Sequence, residues 1–197
     1  MKKTTILLML FCILLTGCTV VRIDTNNIDN IIKNVLKKDN QLFNRIGKGY
    51  KYYIPKGVTY IDTSELNDKL YSNGNYYYLY IDVVNYFNKN TVDYQENNEL
   101  YYSKKIIGEK EGYIEIEEVN NNYYVAFVYN YARIEAIVKK DEIEQLILEA
   151  SYILSTVKFN DNIIKLMLDE EYFTNKEEQY EMFIAKETEN NTLGFSE

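Results

Sequence analysis

The stretch Tyr76–Val84 constrains the fold more than any other part of this chain. Residues suited to a buried core recur at every second position, which is the two-residue period of a β-strand. The alternation predicts a strand whose buried face carries Tyr77, Leu79, Ile81 and Val83. The opposite face then carries three tyrosines followed by a carboxylate: Tyr76, Tyr78, Tyr80 and Asp82. The Asn73-Gly74 pair just before this strand predicts a tight reversal.

Other segments also have the composition of strands. We expect them at Tyr50–Ile54, Val58–Ile61, Glu99–Ile107, Gly112–Val119 and Tyr123–Val138, the last one bent or bulged near Asn130. Pro55-Lys56-Gly57 predicts a turn from which Val58–Ile61 returns as a short strand. Asn120-Asn121-Asn122 predicts a hairpin, because asparagine tolerates a positive φ. The polar stretch 85–98 predicts a loop.

The segment Ile28–Ile46 repeats apolar residues at steps of three and four, which is typical of a helix with one buried face. Asn26 or Asn27 is suited to cap its start, and Gly47 is suited to end it. A helix lying on a membrane surface is the alternative. Its polar face mixes acids with lysines, whereas a membrane-surface helix is usually uniformly basic.

A second long helix is predicted from Asp141 to Val157, and Glu144 has the spacing of a capping box with Asp141. A single helical turn is predicted between Thr63 or Ser64 and Leu70. A shorter helix is predicted at Asp161–Leu168, where it buries Ile163, Ile164, Met167 and Leu168.

Together these patterns predict an α+β fold. We expect a single antiparallel sheet of five or six strands, with the Asp141 helix and the N-terminal helix packed on one face. Residues 28–185 are long enough to form one domain with a sizeable core. Residues 186–197 are acidic and are expected to be a disordered tail.

The first residues have the organisation of an export signal. Lys2 and Lys3 precede an apolar run from Thr4 to Leu15, which is too short to span the roughly 30 Å hydrocarbon core of a membrane. The run ends in Leu15-Thr16-Gly17-Cys18. This pattern resembles the lipobox of bacterial lipoproteins, and the chain as a whole resembles small lipoproteins of low-GC Gram-positive bacteria.

The resemblance implies a function for each of these positions. Leu15, Thr16 and Gly17 would complete a signal of residues 1–17 that is removed, and Cys18 would carry a diacylglyceryl group on its sulfur and usually an acylated amino group. Residues 18–27 would form a tether, and the chain would be held on the outer face of the bacterial cell membrane. The alternative is a chance cysteine behind an ordinary signal peptide.

The composition excludes several chemistries. Cys12 lies in the signal and Cys18 is the expected lipid attachment point, so no cysteine remains for a disulfide, a redox pair or a zinc site. The absence of histidine removes the usual general base and the Ser-His and Cys-His pairs. Without Lys2 and Lys3 the chain has 20 basic and 30 acidic residues, which disfavours nucleic-acid partners. We expect no metal or other cofactor.

The tyrosine row at Tyr76, Tyr78 and Tyr80 with Asp82 is the candidate binding face. Tyrosine joins a flat apolar ring to a hydroxyl, so the row suits a carbohydrate, a peptide or an apolar patch of a partner. Tyr101 or Tyr102, and Tyr123 or Tyr129, are expected to extend it. The alternative is cross-strand packing beneath a helix. The 21 tyrosines in 197 residues also fit the codon usage of an AT-rich genome.

Three local patterns resemble catalytic or metal motifs only weakly. Ser155-Thr156-Val157-Lys158 has the Ser-x-x-Lys spacing of penicillin-binding proteins, but no Lys-Thr-Gly accompanies it. Asn160-Asp161-Asn162 is better explained as helix capping than as a calcium loop. Glu115 and Glu117 are expected on one exposed strand face. We therefore predict a non-catalytic binding or accessory protein that contacts an envelope protein or polymer; the alternative is a carboxylate-dependent envelope hydrolase.

Overall fold

Ten strands form two antiparallel sheets in the computed structural model, which describes residues 27–168. Seven strands form the larger sheet, in the order β3-β4-β5-β9-β8-β7-β6, and three form the smaller one, in the order β1-β2-β10. The strands are β1 Arg45–Ile46, β2 Tyr50–Tyr52, β3 Thr59–Ser64, β4 Asn67–Ser72, β5 Asn75–Ile81, β6 Tyr102–Ile106, β7 Gly112–Val119, β8 Asn122–Tyr129, β9 Ala132–Val138 and β10 Lys158–Phe159.

Four α-helices accompany the sheets in this range: α1 Ile28–Leu36, α2 Val83–Asn88, α3 Ile143–Ser155 and α4 Asp161–Met167. The predicted α+β class is therefore confirmed. The prediction of one sheet with five or six strands is wrong. The structure has two sheets, and two segments of the larger one contain more strands than predicted. Residues 59–72 form a hairpin, and the predicted strand 123–138 is two strands joined by a turn.

Two-residue turns connect several neighbouring strands of the larger sheet. Asn73-Gly74 joins β4 to β5 and Asn120-Asn121 joins β7 to β8, and all four residues have positive φ, as a hairpin of the right twist requires. Both turns were predicted. The Asn130-Tyr131 turn between β8 and β9 has the same geometry and replaces the expected bulge.

The core lies between the larger sheet and α3. We call the sheet face that packs on α3 the inner face and the opposite one the outer face. The apolar stripe of α3 is buried, α1 packs against α3, and Phe127 and Ile134 are buried at the centre of the inner face. Both predicted helices thus lie on one side of the sheet, as expected.

The N-terminal helix ends at Leu36, ten residues before its predicted end. The reason is visible at Asn44, whose side-chain amide donates to the backbone carbonyl of Ile54 at 2.9 Å and whose side-chain oxygen accepts from the backbone amide of Ile54 at 2.7 Å. These bonds hold residues 44–46 extended beside β2. Gly47 therefore lies in the β1–β2 hairpin and does not end a helix.

Three further predictions are corrected. Residues 63–70 are not a helical turn, because Asp68 and Leu70 point inward at strand spacing and are both buried. The strand after Pro55 pairs with β4 and not with β2. In α4, Ile163 is exposed, although its buried neighbours Ile164 and Met167 were predicted.

The long C-terminal helix has a different start from the predicted one. A single 3₁₀ turn, Lys140–Glu142, precedes α3, and the backbone amide of Lys139 donates to the Glu142 carboxylate at 3.1 Å. The capping acid is thus Glu142 and not Glu144. At α4 the prediction holds, since the Asn160 side chain accepts from the backbone amide of Ile163.

Asp68 joins the two sheets. Its carboxylate, 1% exposed, lies on the inner face of β4 and accepts a hydrogen bond from Tyr52 of β2 at 2.5 Å. Thr63 donates to its other oxygen, and the Arg45 guanidinium of β1 lies 4.0 Å away. Burial raises the pKa of Tyr52, and the Asp68 charge raises it further, so the phenol stays protonated as a donor.

Candidate functional site

The predicted tyrosine row lies on the outer face of the larger sheet. Tyr77, Leu79 and Ile81 of β5 are buried on the inner face, whereas Tyr76 is 46% exposed and Tyr78 and Tyr80 are half-buried. Because α3 packs on the inner face, it does not cover the row. The lipobox residues Leu15, Thr16, Gly17 and Cys18 lie outside the described residues, as do the tail 186–197 and most of the tether.

The structure divides the row into two environments. Tyr76 packs against the ring of Tyr71 with 5.3 Å between ring centroids. The Lys69 ammonium lies 4.3 Å from the centroid of Tyr76 and 5.7 Å from that of Tyr78. At the other end of the row, Tyr80 and Asp82 line a cavity of about 600 Å³.

The cavity floor is a row of residues that crosses four strands. The strand register pairs Tyr80 of β5 with Arg133 of β9, Arg133 with Val128 of β8, and Val128 with Tyr113 of β7. All four side chains line the cavity. Side chains at paired positions lie on the same face of a sheet, so antiparallel pairing alone brings these residues together.

The walls come from three connections between strands. One is the segment after β5, which contributes Asp82, Asn85 and residues 90–93. The second is the β6–β7 turn at 108–111, and the third is the β8–β9 turn at 130–131. The turns are tied together, since the Asn130 amide donates to the Glu111 carbonyl at 3.0 Å and the Asp82 amide donates to the Tyr131 carbonyl at 2.8 Å.

Tyr131 has an unusual backbone for a bulky residue, with φ at +59°. This left-handed conformation costs an ordinary residue roughly 1–2 kcal/mol. The corresponding turn residues elsewhere in the sheet are Gly74 and Asn121, which tolerate it. The Tyr131 ring contacts Tyr86 and Phe159 edge-on at 5.6 and 6.3 Å. Strain at a cavity wall is a common mark of a functional position.

Charged side chains surround the cavity unevenly. Four carboxylates, from Asp82, Asp93, Glu109 and Glu111, face two cationic groups, from Lys110 and Arg133. Asp82 caps α2 by accepting from the Asn85 backbone amide at 2.9 Å, and Glu111 accepts from the Val92 amide at 3.0 Å. Within residues 27–168, Asp93 and Glu109 accept no hydrogen bond. The cavity therefore has a net negative lining.

The two cationic side chains differ in their surroundings. Burial lowers the pKa of Lys110, as does the nearby Lys158, although Asp39 and Glu109 oppose the shift. Arg133 forms an ion pair with Glu135 and donates to the Tyr124 hydroxyl at 3.1 Å. Its Nε is buried and finds no hydrogen-bond acceptor among residues 27–168. Unmatched buried donors are uncommon in folded proteins.

Comparison with known proteins identifies no relative. No protein-family model, no curated protein and no solved structure matches the chain. Within residues 27–168, no helix is long and apolar enough to span a membrane. No group of three or more acidic side chains in the same range is placed to hold a metal ion. A function is therefore inferred from the geometry of the cavity.

Tyr80 and Asp82 were predicted from the sequence, but the cavity residues of β7, β8 and β9 were not. Tyr123 and Tyr129, expected to extend the row, are buried on the inner face. The outer face continues instead through Arg133 and Tyr113, because β9 and not β6 lies beside β5. The one available signal was Asn130-Tyr131, whose asparagine marks a two-residue hairpin turn.

Proposed function

We propose that this chain is a lipid-anchored binding protein on the outer face of the bacterial cell membrane, and that its cavity binds a neutral sugar unit of an envelope polymer. The observation that carries the proposal is the cavity floor, where Tyr80, Val128 and Tyr113 lie in one row with Arg133 beneath a ring of carboxylates and amides. The anchor is supported by the match of Leu15-Thr16-Gly17-Cys18 to the lipobox.

The lining favours a sugar over other ligand classes. Pyranose rings present C–H faces that pack on tyrosine rings, and the cavity has Tyr80, Tyr113 and Tyr131. Sugar hydroxyls donate hydrogen bonds, and carboxylates such as Asp93 and Glu109 are strong acceptors. Four acids against two bases disfavour an anionic ligand such as a polyphosphate.

The Tyr113 ring of the cavity floor is held in place by a neighbouring loop. Tyr94, from the loop between α2 and β6, stacks on it with 4.2 Å between centroids and planes 4° apart, and the Tyr94 and Ser103 hydroxyls share a hydrogen bond of 2.6 Å. The side chain is thereby held in one orientation before a ligand arrives. A site ordered in advance loses less conformational entropy on binding.

Replacing Tyr131 by asparagine is expected to weaken sugar binding about tenfold while changing the free energy of unfolding by less than about 1 kcal/mol. Asparagine tolerates the left-handed conformation of Tyr131, so relief of backbone strain offsets the lost contacts with Tyr86 and Phe159.

Asp82→Asn is expected to reduce affinity while keeping the α2 cap. Titration calorimetry with chitotetraose, a neutral N-acetylglucosamine oligomer, measures the affinity of both variants. Urea unfolding measures the stability of Tyr131→Asn.

Tyr76→Ala is the matched control, because the Tyr76 ring lies on β5, as Tyr80 does, but outside the cavity. Its affinity should equal that of the unaltered chain. The proposed sugar site is wrong if chitotetraose and other neutral oligosaccharides do not bind, or if Tyr76→Ala weakens binding as much as Tyr131→Asn does.

Replacing Cys18 by alanine is expected to abolish fatty-acid labelling of the chain in living cells and to leave an uncleaved or released form. Labelling requires the thiol of the lipobox cysteine, and the chain's other cysteine, Cys12, lies in the apolar run of the signal. Cys12→Ala is therefore the control and should keep full labelling. Metabolic labelling with an alkyne fatty acid shows the result, and persistent labelling of Cys18→Ala contradicts the anchor.

A second candidate function is hydrolysis of a glycosidic bond in the same cavity. It is favoured by the convergence of carboxylates from separate elements, since Asp82 follows β5 while Glu109 and Glu111 lie in the β6–β7 turn. Glycoside hydrolysis commonly uses two such carboxyl groups on either side of the bond. Release of reducing ends from chitotetraose, lost in Asp82→Asn and in Glu109→Gln, would favour the hydrolase over a binding protein.

A further inference from the structure

Charge is divided unequally between two parts of the described chain. Residues 27–56 and 157–168, which form α1, the three-stranded sheet and α4, carry nine lysines and arginines against three acids. Residues 57–156, which form the larger sheet, α2 and α3, carry eight against seventeen. The molecule therefore has a basic part and a strongly acidic part, although its total charge is negative.

Two of these basic residues, Lys51 and Lys158, share one side of the three-stranded sheet. The strand register places Ile46 of β1 opposite Lys51 of β2, and Lys51 opposite Lys158 of β10, so the three side chains share a sheet face. Tyr50 and Tyr52 are buried on the other face. We call the exposed side, together with Leu42 and Phe43, the basic face.

Apolar side chains lie among these lysines. Leu42 is 56% exposed, Ile46 is 69% exposed, and the ring of Phe43 lies 4.0 Å from the Lys51 ammonium. The Lys158 ammonium contacts the Gln41 side chain of the same connecting segment. Exposed apolar residues that alternate with lysines are typical of a surface that enters a lipid headgroup region, because lysine stems pack on apolar chains while their charges stay in water.

The helix α4 is attached to the three-stranded sheet. Its first turn is tied to the β1–β2 hairpin, since the Asn160 backbone amide donates to the Gly49 carbonyl at 2.9 Å. A Cβ at Gly49 would lie 3.1 Å from Ile164 and 3.6 Å from Ile163. Beyond the buried Ile164, Leu166 is 80% exposed and Lys165 is exposed too.

We propose that the basic face docks on an anionic membrane surface, with Leu42, Phe43 and Ile46 entering the headgroup region and Lys51 and Lys158 contacting lipid phosphates. Charge complementarity selects this occupant, because lysines near an anionic leaflet are attracted to its lipid phosphates. The acidic part of the molecule is repelled by the same leaflet. The membrane therefore orients the molecule with its basic face down.

The chain length permits this contact. Eight residues lie between Cys18 and Asn27, where the described chain begins, and the nine steps from Cys18 to Asn27 span at most about 30 Å when extended. The helix α1 is only about 14 Å long at 1.5 Å per residue, and its end leads directly to Leu42 and Phe43. The reach argument rests on the proposed anchor at Cys18, whereas the charge and exposure arguments do not.

Tryptophan fluorescence tests the proposal, because the chain contains no tryptophan. The full-length chain as processed by its host is reconstituted in phosphatidylcholine vesicles with 30 mol% phosphatidylglycerol, about a third anionic lipid, which resembles an anionic leaflet. Leu42→Trp and Leu166→Trp are expected to show blue-shifted emission and quenching by brominated lipid. Val119→Trp is the control, because Val119 is at the far end of β7 from the β6–β7 turn, where Lys110 lies near Lys158 of the basic face.

Charge reversal separates docking from tethering. In the Leu42→Trp background, Lys51→Glu with Lys158→Glu is expected to shift the ratio of docked to undocked molecules at least tenfold, and quenching falls with it. Lys139→Glu with Lys140→Glu makes the same charge change in the acidic part and should leave quenching unchanged. Equal quenching at positions 42 and 119, or no effect of reversal at 51 and 158, overturns the proposal. Failure of the anchor is measured separately, as absent fatty-acid labelling.

Discussion

Replacing Gly112 by alanine is expected to lower the free energy of unfolding by about 3 kcal/mol or more. A Cβ at this position would lie 2.0 Å from the Val128 carbonyl oxygen and 2.9 Å from the Tyr129 Cα. Both neighbours are backbone atoms of β8, held by the β7–β8 ladder. They can move only if the ladder opens, so the substitution strains the β7–β8 pair where β7 begins. Urea unfolding followed by circular dichroism measures the loss.

Gly108→Ala provides the matched control, since Gly108 lies in the β6–β7 turn four residues before Gly112. Its nearest neighbour beyond the adjacent residues is the Lys110 carbonyl at 3.6 Å, which is an ordinary contact. We expect Gly108→Ala to change stability by less than about 0.5 kcal/mol. A similar loss in both variants would mean that crowding at Val128 is not the cause.

The second large effect is expected at Asp68. Replacing it by alanine should lower the free energy of unfolding by about 3 kcal/mol, because the buried Tyr52 hydroxyl loses its acceptor and the Arg45 guanidinium loses its counter-charge. The Arg45 Nε is itself buried and has no hydrogen-bond acceptor among residues 27–168. Since Tyr52 and Arg45 belong to the smaller sheet, the loss weakens the junction between the two sheets. Chemical denaturation reports its size.

Two further variants identify the cause. Asp62→Ala removes a carboxylate from the exposed strand β3 and should change stability by less than about 0.5 kcal/mol. Tyr52→Phe should cost about 1–2 kcal/mol on its own. In the Asp68→Ala background it should cost much less, because the hydroxyl has already lost its partner. Additive losses would show that Tyr52 and Asp68 act independently.

The sequence allowed the larger sheet and its covering helix to be predicted where one residue face is clearly apolar. The alternation in β5 and β7 placed Leu79 and Ile114 in the core, and the stripe of α3 identified its buried side. These elements have a single period that no long-range contact overrides.

The predictions failed where contacts distant in sequence decide the conformation. The segment 37–46 has helical spacing, but the bonds between Asn44 and Ile54 draw it into a second sheet. Residues 63–70 are polar except for Leu66 and Leu70, so their strand pattern is visible only once Asp68 is known to be buried. Neither contact can be derived from local periodicity.

The cavity was predicted only in part for the same reason. Tyr80 and Asp82 follow from the alternation of one strand, whereas Arg133, Val128 and Tyr113 join them through the strand order of the sheet. Strand order depends on which hairpins form. The unrecognised turn at Asn130-Tyr131 is what places β9 between β5 and β8.

The outer strands of the larger sheet, β3 and β6, affect how copies behave when many stand close together. An unpaired strand edge recruits further strands, and confinement to one surface raises the frequency of such encounters. In β3 the pairing register shifts between Tyr60 and Asp62, and β6 carries Lys104 and Lys105. The irregular backbone of one edge and the positive charge of the other oppose the growth of continuous ribbons. Copies held on one surface by the proposed anchor would thereby be protected from aggregation through their own sheets.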